Sequence, residues 1–319
     1  MRSVLTLSML LAAAVCGGHN FGRSIHELNA DSASAKFGAT PFSHMSPDEW
    51  RAFPGRHGIV PRDFHAKAAS GAVYFTPAEI AVANATPVNW RTAATSPTGR
   101  GTLTRIKQQG LCGSCWAFSV LAVMESMVAK ATGIVMAFSE QEILDCISAH
   151  GLNGCAGGDP MTLAQALINH PTPLEQDYPY TFFDGGNTLS EPCRSNVFAV
   201  MKPSQVLYPA ALAGQSIEAA AVAYLRNVGP LAVSVDTRDT AWQHYQSGII
   251  DVCPPVTSLS EVDHGVTVVG YGTDSGVPYF ILKNSWGPMW GEEGYVRIRR
   301  GTNECGVALL MVGLNATRQ

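Results

Sequence analysis

The sequence predicts a protein of the α+β class, because helical and β-rich patterns occupy separate parts of the chain. Segments rich in helix formers lie between residues 115 and 227, and β-rich runs broken by Gly and Pro lie between residues 231 and 299. A doubly wound α/β protein would alternate the two patterns. The chain has 319 residues, of which 46% are hydrophobic and 14% are charged, which allows about two domains. Its net charge of −4, without a basic run, argues against a nucleic-acid-binding surface.

Four helices and four strands account for this pattern. Residues 115–130 are apolar almost all round, which predicts a buried helix. Ser139, three residues before Glu142, forms a capping box that opens a second helix toward Cys146. Further helices are predicted over residues 161–169 and 217–227. Strands are predicted over residues 231–236, 265–271, 277–283 and 294–299.

Residues 1–17 have the pattern of a signal peptide. Arg2 precedes an apolar run over residues 4–15, which is followed by Cys16 and two glycines. The run is too short to span a bilayer, so we expect secretory passage and, after its removal, a product without a membrane segment. The alternative is an apolar N-terminal helix of the folded protein.

Residues 18–86 are predicted to be a removable propeptide, and residues 87–319 the mature domain. Five of the nine histidines precede the boundary, whereas every disulfide candidate follows it. If histidines such as His26 or His44 are buried, their protonation at about pH 5 is expected to loosen the propeptide. The expected destination is the secretory pathway, ending in a lysosome, a vacuole or the extracellular space.

Cys115 is the candidate nucleophile. Of the eight cysteines, Cys16 leaves with the signal peptide, and the remaining seven allow three disulfides and one free thiol. Cys115 stands at the predicted start of the buried helix, where the dipole and free backbone N–H groups stabilise a thiolate. That helix end and the amide of Gln109 can donate to an oxyanion. The spacing Cys112-x-x-Cys115 also suits a redox pair, but no strand pattern precedes it.

His264 and Asn284 are the candidate base and its orienting partner. His264 precedes one predicted strand, and Asn284 follows the strand predicted over residues 277–283. If these strands are neighbours, Asn284 can accept a hydrogen bond from one ring nitrogen of His264 while the other faces Cys115. Trp286 can then shield that hydrogen bond from water.

These residues belong to a set of ordered motifs that resembles the papain-like cysteine proteases, most of all the cathepsin L-like branch. A Cys-Gly-Ser-Cys-Trp signature with His and Asn about 130–150 residues downstream is typical of that family. Here His264 fits this spacing and Asn284 lies somewhat beyond it, which we attribute to insertions before His264. The resemblance covers nearly the whole mature domain and rests on residues 109–116, Ser139-Glu140-Gln141, Cys155-Ala156-Gly157-Gly158, Tyr178-Pro179-Tyr180, Asp263-His264-Gly265, Asn284-Ser285-Trp286-Gly287 and Trp290-Gly291.

The resemblance implies a papain-like two-lobed fold, with a helical lobe over about residues 87–200 and a β-barrel-like lobe over about residues 201–319. Cys115 would be the nucleophile, His264 the general acid/base and Asn284 its orienting partner, and Gln109 would complete the oxyanion hole. A thiolate–imidazolium resting pair is implied. So are the disulfides Cys112–Cys155, Cys146–Cys193 and Cys253–Cys305.

The activity so implied is that of a monomeric endopeptidase without metal or cofactor. It would act on polypeptides and be inhibited by its own propeptide and by protein inhibitors of cysteine proteases. Gly157 and Gly158 resemble the segment whose backbone pairs with an extended peptide. The pocket for the second residue before the scissile bond would contain Asp159, Pro160, Ser234, Val262, Gly265 and Leu310. Because Leu310 gives this pocket an apolar floor, we expect Leu, Val or Phe there rather than Arg.

Several alternatives remain open. The chain could be a disulfide-stapled secreted binding protein without catalytic activity. Glu125, on the buried helix, is interpreted as a structural carboxylate rather than a catalytic acid. The propeptide resembles the family inhibitor only in its later part, over residues 25–29 and 38–44. We therefore expect a shortened inhibitor.

Overall fold

The structure, a computed structural model, describes residues 22–60, 71–147, 152–181, 192–194 and 196–316. The predicted signal peptide lies outside the described residues. The helices are α1 Ile25–Asp31, α2 Pro47–Ala52, α3 Pro77–Asn84, α4 Cys115–Thr132, α5 Glu140–Cys146, α6 Pro160–Leu167, α7 Ile217–Asn227 and α8 Thr240–His244. The strands are β1 Lys36–Phe37, β2 Ala72–Tyr74, β3 Val88–Asn89, β4 Gln205–Ala210, β5 Leu231–Val235, β6 Tyr245–Ser247, β7 Ile249–Ile250, β8 His264–Asp274, β9 Val277–Lys283, β10 Tyr295–Arg299 and β11 Met311–Asn315.

Helix α4 is the centre of the helical lobe. Every residue from Cys115 to Ala129 is buried, which explains why this segment is apolar on all sides. The helix ends at Gly133, whose φ of 82° is the left-handed conformation common after helix C-termini. Among the described residues, α4 alone has the length and hydropathy of a membrane span, but 83% of that window is buried inside the protein. Its apolar surface is thus accounted for by packing against α5 and α6.

The β lobe is built on a sheet in the order β2-β4-β11-β5-β8-β9-β10-β7, with β3 beside β8. Strand β8 lies between β5 and β9 and is antiparallel to both. Helix α7 and these central strands contribute to one hydrophobic cluster, together with Trp242, Trp286 and Trp290. The predicted neighbourhood of the strands that carry His264 and Asn284 is confirmed.

All four predicted helices occur, and the predicted strands correspond to β5, β8, β9 and β10. The predicted fold class, α+β, is confirmed. Strands β4 and β11 were not predicted: β4 contains Pro209 and β11 contains Gly313, and both residue types weaken the sequence signal of a strand.

The division of the lobes at residue 200 is too simple. Val88 and Trp90 belong to the hydrophobic cluster of the β lobe, whereas Val312 and Leu314 of β11 belong to the cluster of the helical lobe. Each end of the predicted mature domain therefore packs into the lobe formed mainly by the other half of the chain. Tertiary packing of this kind leaves no mark in local sequence patterns.

The described part of the predicted propeptide, called the propeptide below, lies largely on the β lobe. Strand β1 pairs antiparallel with β6, and Arg23 forms an ion pair with Asp239 at 2.8 Å. Further along, Phe42, Trp50 and Phe53 form ring contacts with Trp286. The propeptide thus reaches the edge of the predicted catalytic site through aromatic packing.

The histidine trigger needs buried histidines, and His26 and His44 do not meet this condition, because both are exposed. His19 and His65 lie outside the described residues. The second described segment of the predicted propeptide joins the protein through β2, which pairs with β4, and α3, which packs against α7.

Candidate active site

Cys115 is the first residue of α4 and is fully buried. Ser114 occupies the N-cap without a side-chain hydrogen bond to the helix, so the first turn keeps free N–H groups. A Cβ at Gly58 of the predicted propeptide would overlap the sulfur, and one at Gly265 on β8 would lie 2.9 Å from Cys115 O, so both backbones approach Cys115 closely. Three separate segments of the chain therefore meet at this one residue.

Cys115 is also the one free cysteine among the described residues. The disulfides join Cys112 to Cys155, Cys146 to Cys193 and Cys253 to Cys305, which are the pairs that the resemblance implies. Because Cys112 is bonded to Cys155, the Cys112-x-x-Cys115 spacing does not form a redox pair here.

His264 opens β8 opposite Val235 of β5, and Asn284 directly follows β9. The two side chains meet at 2.8 Å between His264 Nε2 and Asn284 Oδ1. Asn284 Oδ1 also accepts a hydrogen bond from the Ser285 backbone N–H at 2.8 Å, which fixes it as the acceptor. His264 Nε2 must then donate, which leaves Nδ1 as the basic nitrogen. Within the described residues, Nδ1 has no hydrogen-bond partner.

Aromatic rings enclose this hydrogen bond. Trp286 stacks on the His264 ring with 4.5 Å between centroids and 28° between planes. Trp242 meets the edge of the same ring at 6.5 Å. The arrangement excludes water from the His264–Asn284 pair and fixes the orientation of the imidazole.

Gln109 is buried beside Cys115 and is held by several hydrogen bonds. Its Nε2 donates to Cys112 O at 2.8 Å, and its Oε1 accepts from Ser285 Oγ at 2.6 Å. The amide has a second Nε2 hydrogen, which these bonds leave available to an oxyanion. Tyr180 donates to Gln109 O at 2.8 Å and so secures the backbone as well.

The contributions of Ser285 and Tyr180 were missed in the sequence. Both lie in the quoted motifs Asn284-Ser285-Trp286-Gly287 and Tyr178-Pro179-Tyr180, which could have drawn attention to them. Their hydrogen bonds to Gln109 join segments far apart in the chain, and spacing alone does not reveal such contacts.

Burial acts against the thiolate–imidazolium pair that the resemblance implies. It raises the pKa of the Cys115 thiol to about 12. It likewise lowers the pKa of His264 to about 3. In this covered site burial therefore favours the neutral form of each group.

Propeptide residues 57–60 provide the cover. Gly158 donates to Gly58 O at 2.9 Å, and Val60 donates to Gly158 O at 2.9 Å, so the propeptide adds a short strand to the cleft wall. Ile59 bridges to Gly158 in the parallel sense. A Cβ at Gly58 would overlap Cys115 Sγ and lie 2.8 Å from Gly113 O. Only glycine lets the backbone approach the thiol this closely.

The predicted substrate residues fall on two sides of this strand. Gly157, with a φ of 105°, and Gly158 form the wall that pairs with the propeptide. A Cβ at Gly158 would lie 2.5 Å from the Trp116 ring, so a side chain is excluded. Gly265 contacts Cys115, where a Cβ would lie 2.9 Å from Cys115 O.

The remaining pocket residues are buried. Asp159 caps α6 by accepting from Thr162 N at 2.6 Å, and Pro160 is the first residue of that helix. Ser234, Val262 and Leu310 are also buried. Ile59 packs against the hydrophobic cluster of the helical lobe, to which Leu310 also belongs.

Glu125 pairs with Lys107 at 2.8 Å and accepts from Thr104 and Phe138 N. This agrees with its interpretation as a structural carboxylate.

Replacing Gly58 by alanine is expected to uncover the thiol without cleavage of the chain. The added methyl group would overlap Cys115 Sγ and Gly113 O, so residues 58–60 could not seat. We expect labelling of Cys115 in the uncleaved G58A zymogen by a thiol-reactive epoxide to rise on the order of tenfold at neutral pH. Intact-protein mass spectrometry measures this.

The matched control is Lys36→Ala, an exposed propeptide position away from the cleft. Its labelling should equal that of the parent zymogen. Equal labelling of the Gly58→Ala and Lys36→Ala variants would contradict the role of Gly58.

Comparison with known proteins places this geometry in a family. Residues 85–313 match the family described as papain family cysteine protease. The chain is 35% identical over 298 residues to cathepsin F of Drosophila melanogaster, covering 90% of this chain and 44% of that protein. It is 36% identical over 242 residues to cathepsin L of Sarcophaga peregrina, covering 75% and 65%. The chain thus spans about half to two thirds of the length of these relatives.

Solved structures of related cysteine proteases have a similar fold. Digestive procathepsin L 3 of the Tenebrio molitor larval midgut is 29% identical with a TM-score of 0.70, covering 91% of this chain and 87% of that one. A Carica candamarcensis cysteine protease, CMS1MS2 in complex with E-64, is 33% identical with a TM-score of 0.61, covering 73% and 99%. With the family match extending over most of the chain, this protein belongs to the papain family of cysteine proteases.

Proposed function

We propose that the chain is the zymogen of a cysteine endopeptidase that hydrolyses peptide bonds through a thioester acyl-enzyme. The observation that carries the proposal is one unbridged thiol at a helix N-terminus, packed against Gly265, the residue directly after a histidine that Asn284 orients. Nucleophile, base and orienting group are the three parts that acyl transfer by a thiol requires.

The chemistry follows from these positions. The Cys115 proton passes to His264 Nδ1, and the sulfur attacks the scissile carbonyl carbon. The Cys115 backbone N–H and Gln109 Nε2 donate to the oxygen that gains charge. His264 returns the proton to the leaving amine as the peptide bond breaks. Water then loses a proton to His264 and attacks the thioester carbonyl, which releases the acid and restores the thiol.

Inhibition by the propeptide is supported by its position. Residues 57–60 occupy the cleft between Gly158 and Cys115, so a substrate cannot enter while they remain. The proform of Tenebrio procathepsin L 3 has a similar fold over most of both chains. Activation therefore requires displacement or cleavage of the propeptide.

Secretion and substrate class have separate support. Three disulfides suit an oxidising compartment, whether that is extracellular or lysosomal. A cleft wall that pairs with an extended backbone suits polypeptide substrates and protein inhibitors. All proposed catalytic residues come from one chain, which suits a monomer.

A thiol-reactive epoxide tests the reaction directly. After acid activation, we expect one probe per molecule at Cys115, together with loss of peptidase activity in proportion to labelling. Cys115→Ala, expressed as the same zymogen, should show neither label nor activity. A correctly folded, processed protein that takes no label would instead support the secreted binding protein.

The pocket preference needs a peptide series that varies only the second residue before the scissile bond. The wall that Ile59 contacts is apolar, and Leu310 offers no partner to a cation. We expect kcat/KM for Leu, Val or Phe to exceed that for Arg by at least about tenfold. Comparable values for Leu and Arg would refute the apolar pocket.

A further inference from the structure

Arg56 of the propeptide is fully buried and directly precedes residues 57–60, the segment that covers Cys115. Its guanidinium forms an ion pair with Asp263 Oδ2 and donates to Thr237 Oγ1 at 3.3 Å. Its remaining contact, to Trp50 O at 3.0 Å, stays within the propeptide. Since burying an unpaired guanidinium is costly, the protease part must offer a real receptor for it.

Asp263, the receptor for Arg56, is held in place by Thr237 and not only by Arg56. Asp263 Oδ1 accepts from Thr237 N at 2.8 Å and from Thr237 Oγ1 at 3.0 Å. These bonds orient the carboxylate and leave Oδ2 directed at the guanidinium. When the propeptide departs, Oδ2 loses the partner that the structure gives it.

A second cation lies near Asp263. Arg238 is bonded to Asp236 through Nε at 2.8 Å and Nη2 at 2.8 Å, and its charge also acts on Asp263. The ion pair at Asp263 Oδ2, however, is formed by Arg56. Removal of the predicted propeptide therefore takes away the guanidinium that is bonded to this oxygen.

The propeptide contacts the receptor and Gly158 at different points of its chain. Past Gly58, the propeptide pairs with Gly158. Before Gly58, Trp286 Nε1 donates to Gly55 O at 3.2 Å, and Arg56 reaches Asp263. Asp263 therefore contacts the chain at Arg56 and Gly58, whereas Gly158 contacts it at Gly58 and Val60.

We propose that, in the activated enzyme, Asp263 Oδ2 and Thr237 Oγ1 form a subsite for the guanidinium of a substrate arginine within the first two residues after the scissile bond. The inference rests on the proposed function, in which the residues before that bond pair with Gly158. The planar guanidinium can donate to both oxygens at once, as Arg56 does, whereas lysine offers a point charge. Arginine is therefore preferred over lysine.

Quenched peptides with one fixed apolar acyl half test the subsite. Arg, citrulline, Lys, Leu and Glu are placed in turn at the first and at the second position after the scissile bond. At one of these positions, kcat/KM for Arg should exceed that for neutral, near-isosteric citrulline on the order of tenfold or more. Equal values at both positions would overturn the subsite.

Substitutions at Asp263 and Thr237 test whether these residues cause the Arg preference. Asp263→Asn and Thr237→Val should each bring the Arg-to-citrulline ratio toward one, and the ratio is unaffected by a general loss of turnover. Glu261→Gln, at a partly exposed acid of the same lobe whose carboxylate bonds to Thr257 N and Ser258 N and not to Arg56, should keep the wild-type ratio. A full Arg preference in both Asp263→Asn and Thr237→Val would overturn the assignment. If Asp263→Asn does not fold, the wild-type ratio and Thr237→Val decide.

The outcomes distinguish failure of the arginine subsite from failure of the proposed endopeptidase activity. Cleavage of all peptides without an Arg preference removes the subsite and leaves the endopeptidase. No cleavage of any peptide and no epoxide label on Cys115 removes both.

Discussion

Close contact between Gly58 and Cys115 is the constraint on which the chemistry of this zymogen depends. It brings backbone to within reach of the sulfur and buries it, which raises the pKa of the Cys115 thiol. Burial also lowers the pKa of His264, whose Nδ1 is unpartnered among the described residues. The cover therefore blocks access to the thiol and also disfavours its ionisation.

Contacts behind the site keep Cys115 and His264 in position across the two lobes. A buried group of charges lies behind the site: Lys107 bonds to Glu125 and Glu140 on the helical side, and Lys283, directly before Asn284, donates to Thr104 at 2.8 Å. Burial raises the pKa of Glu140 to about 7 and lowers that of Lys283 to about 8. Two acids and two bases sharing a dry space limit relative movement of the walls, because separating them would leave charges unpaired.

Features that depend on local sequence could be predicted, whereas features that depend on long-range contacts could not. Helices α4 and α7 follow from continuous composition, and the adjacency of β8 and β9 follows from two strong strand patterns, so His264 and Asn284 could be placed together before any coordinates. Long-range contacts account for three features that the sequence did not predict. These are the packing of β11 in the helical lobe, the hydrogen bond from Ser285 to Gln109 and the burial of Arg56. The ionised resting pair stays a prediction, because the charge of Cys115 and His264 depends on their burial, which the sequence does not reveal.

The central claim is that uncovering the cleft ionises Cys115. Ultraviolet thiolate absorbance, recorded near neutral pH before and after release of the propeptide, measures this directly, with Cys115→Ala as the blank. The account predicts no thiolate at Cys115 in the zymogen, whose raised pKa keeps the thiol protonated, and about one thiolate per molecule after release. A full thiolate signal in the covered zymogen, or none after release, would contradict it.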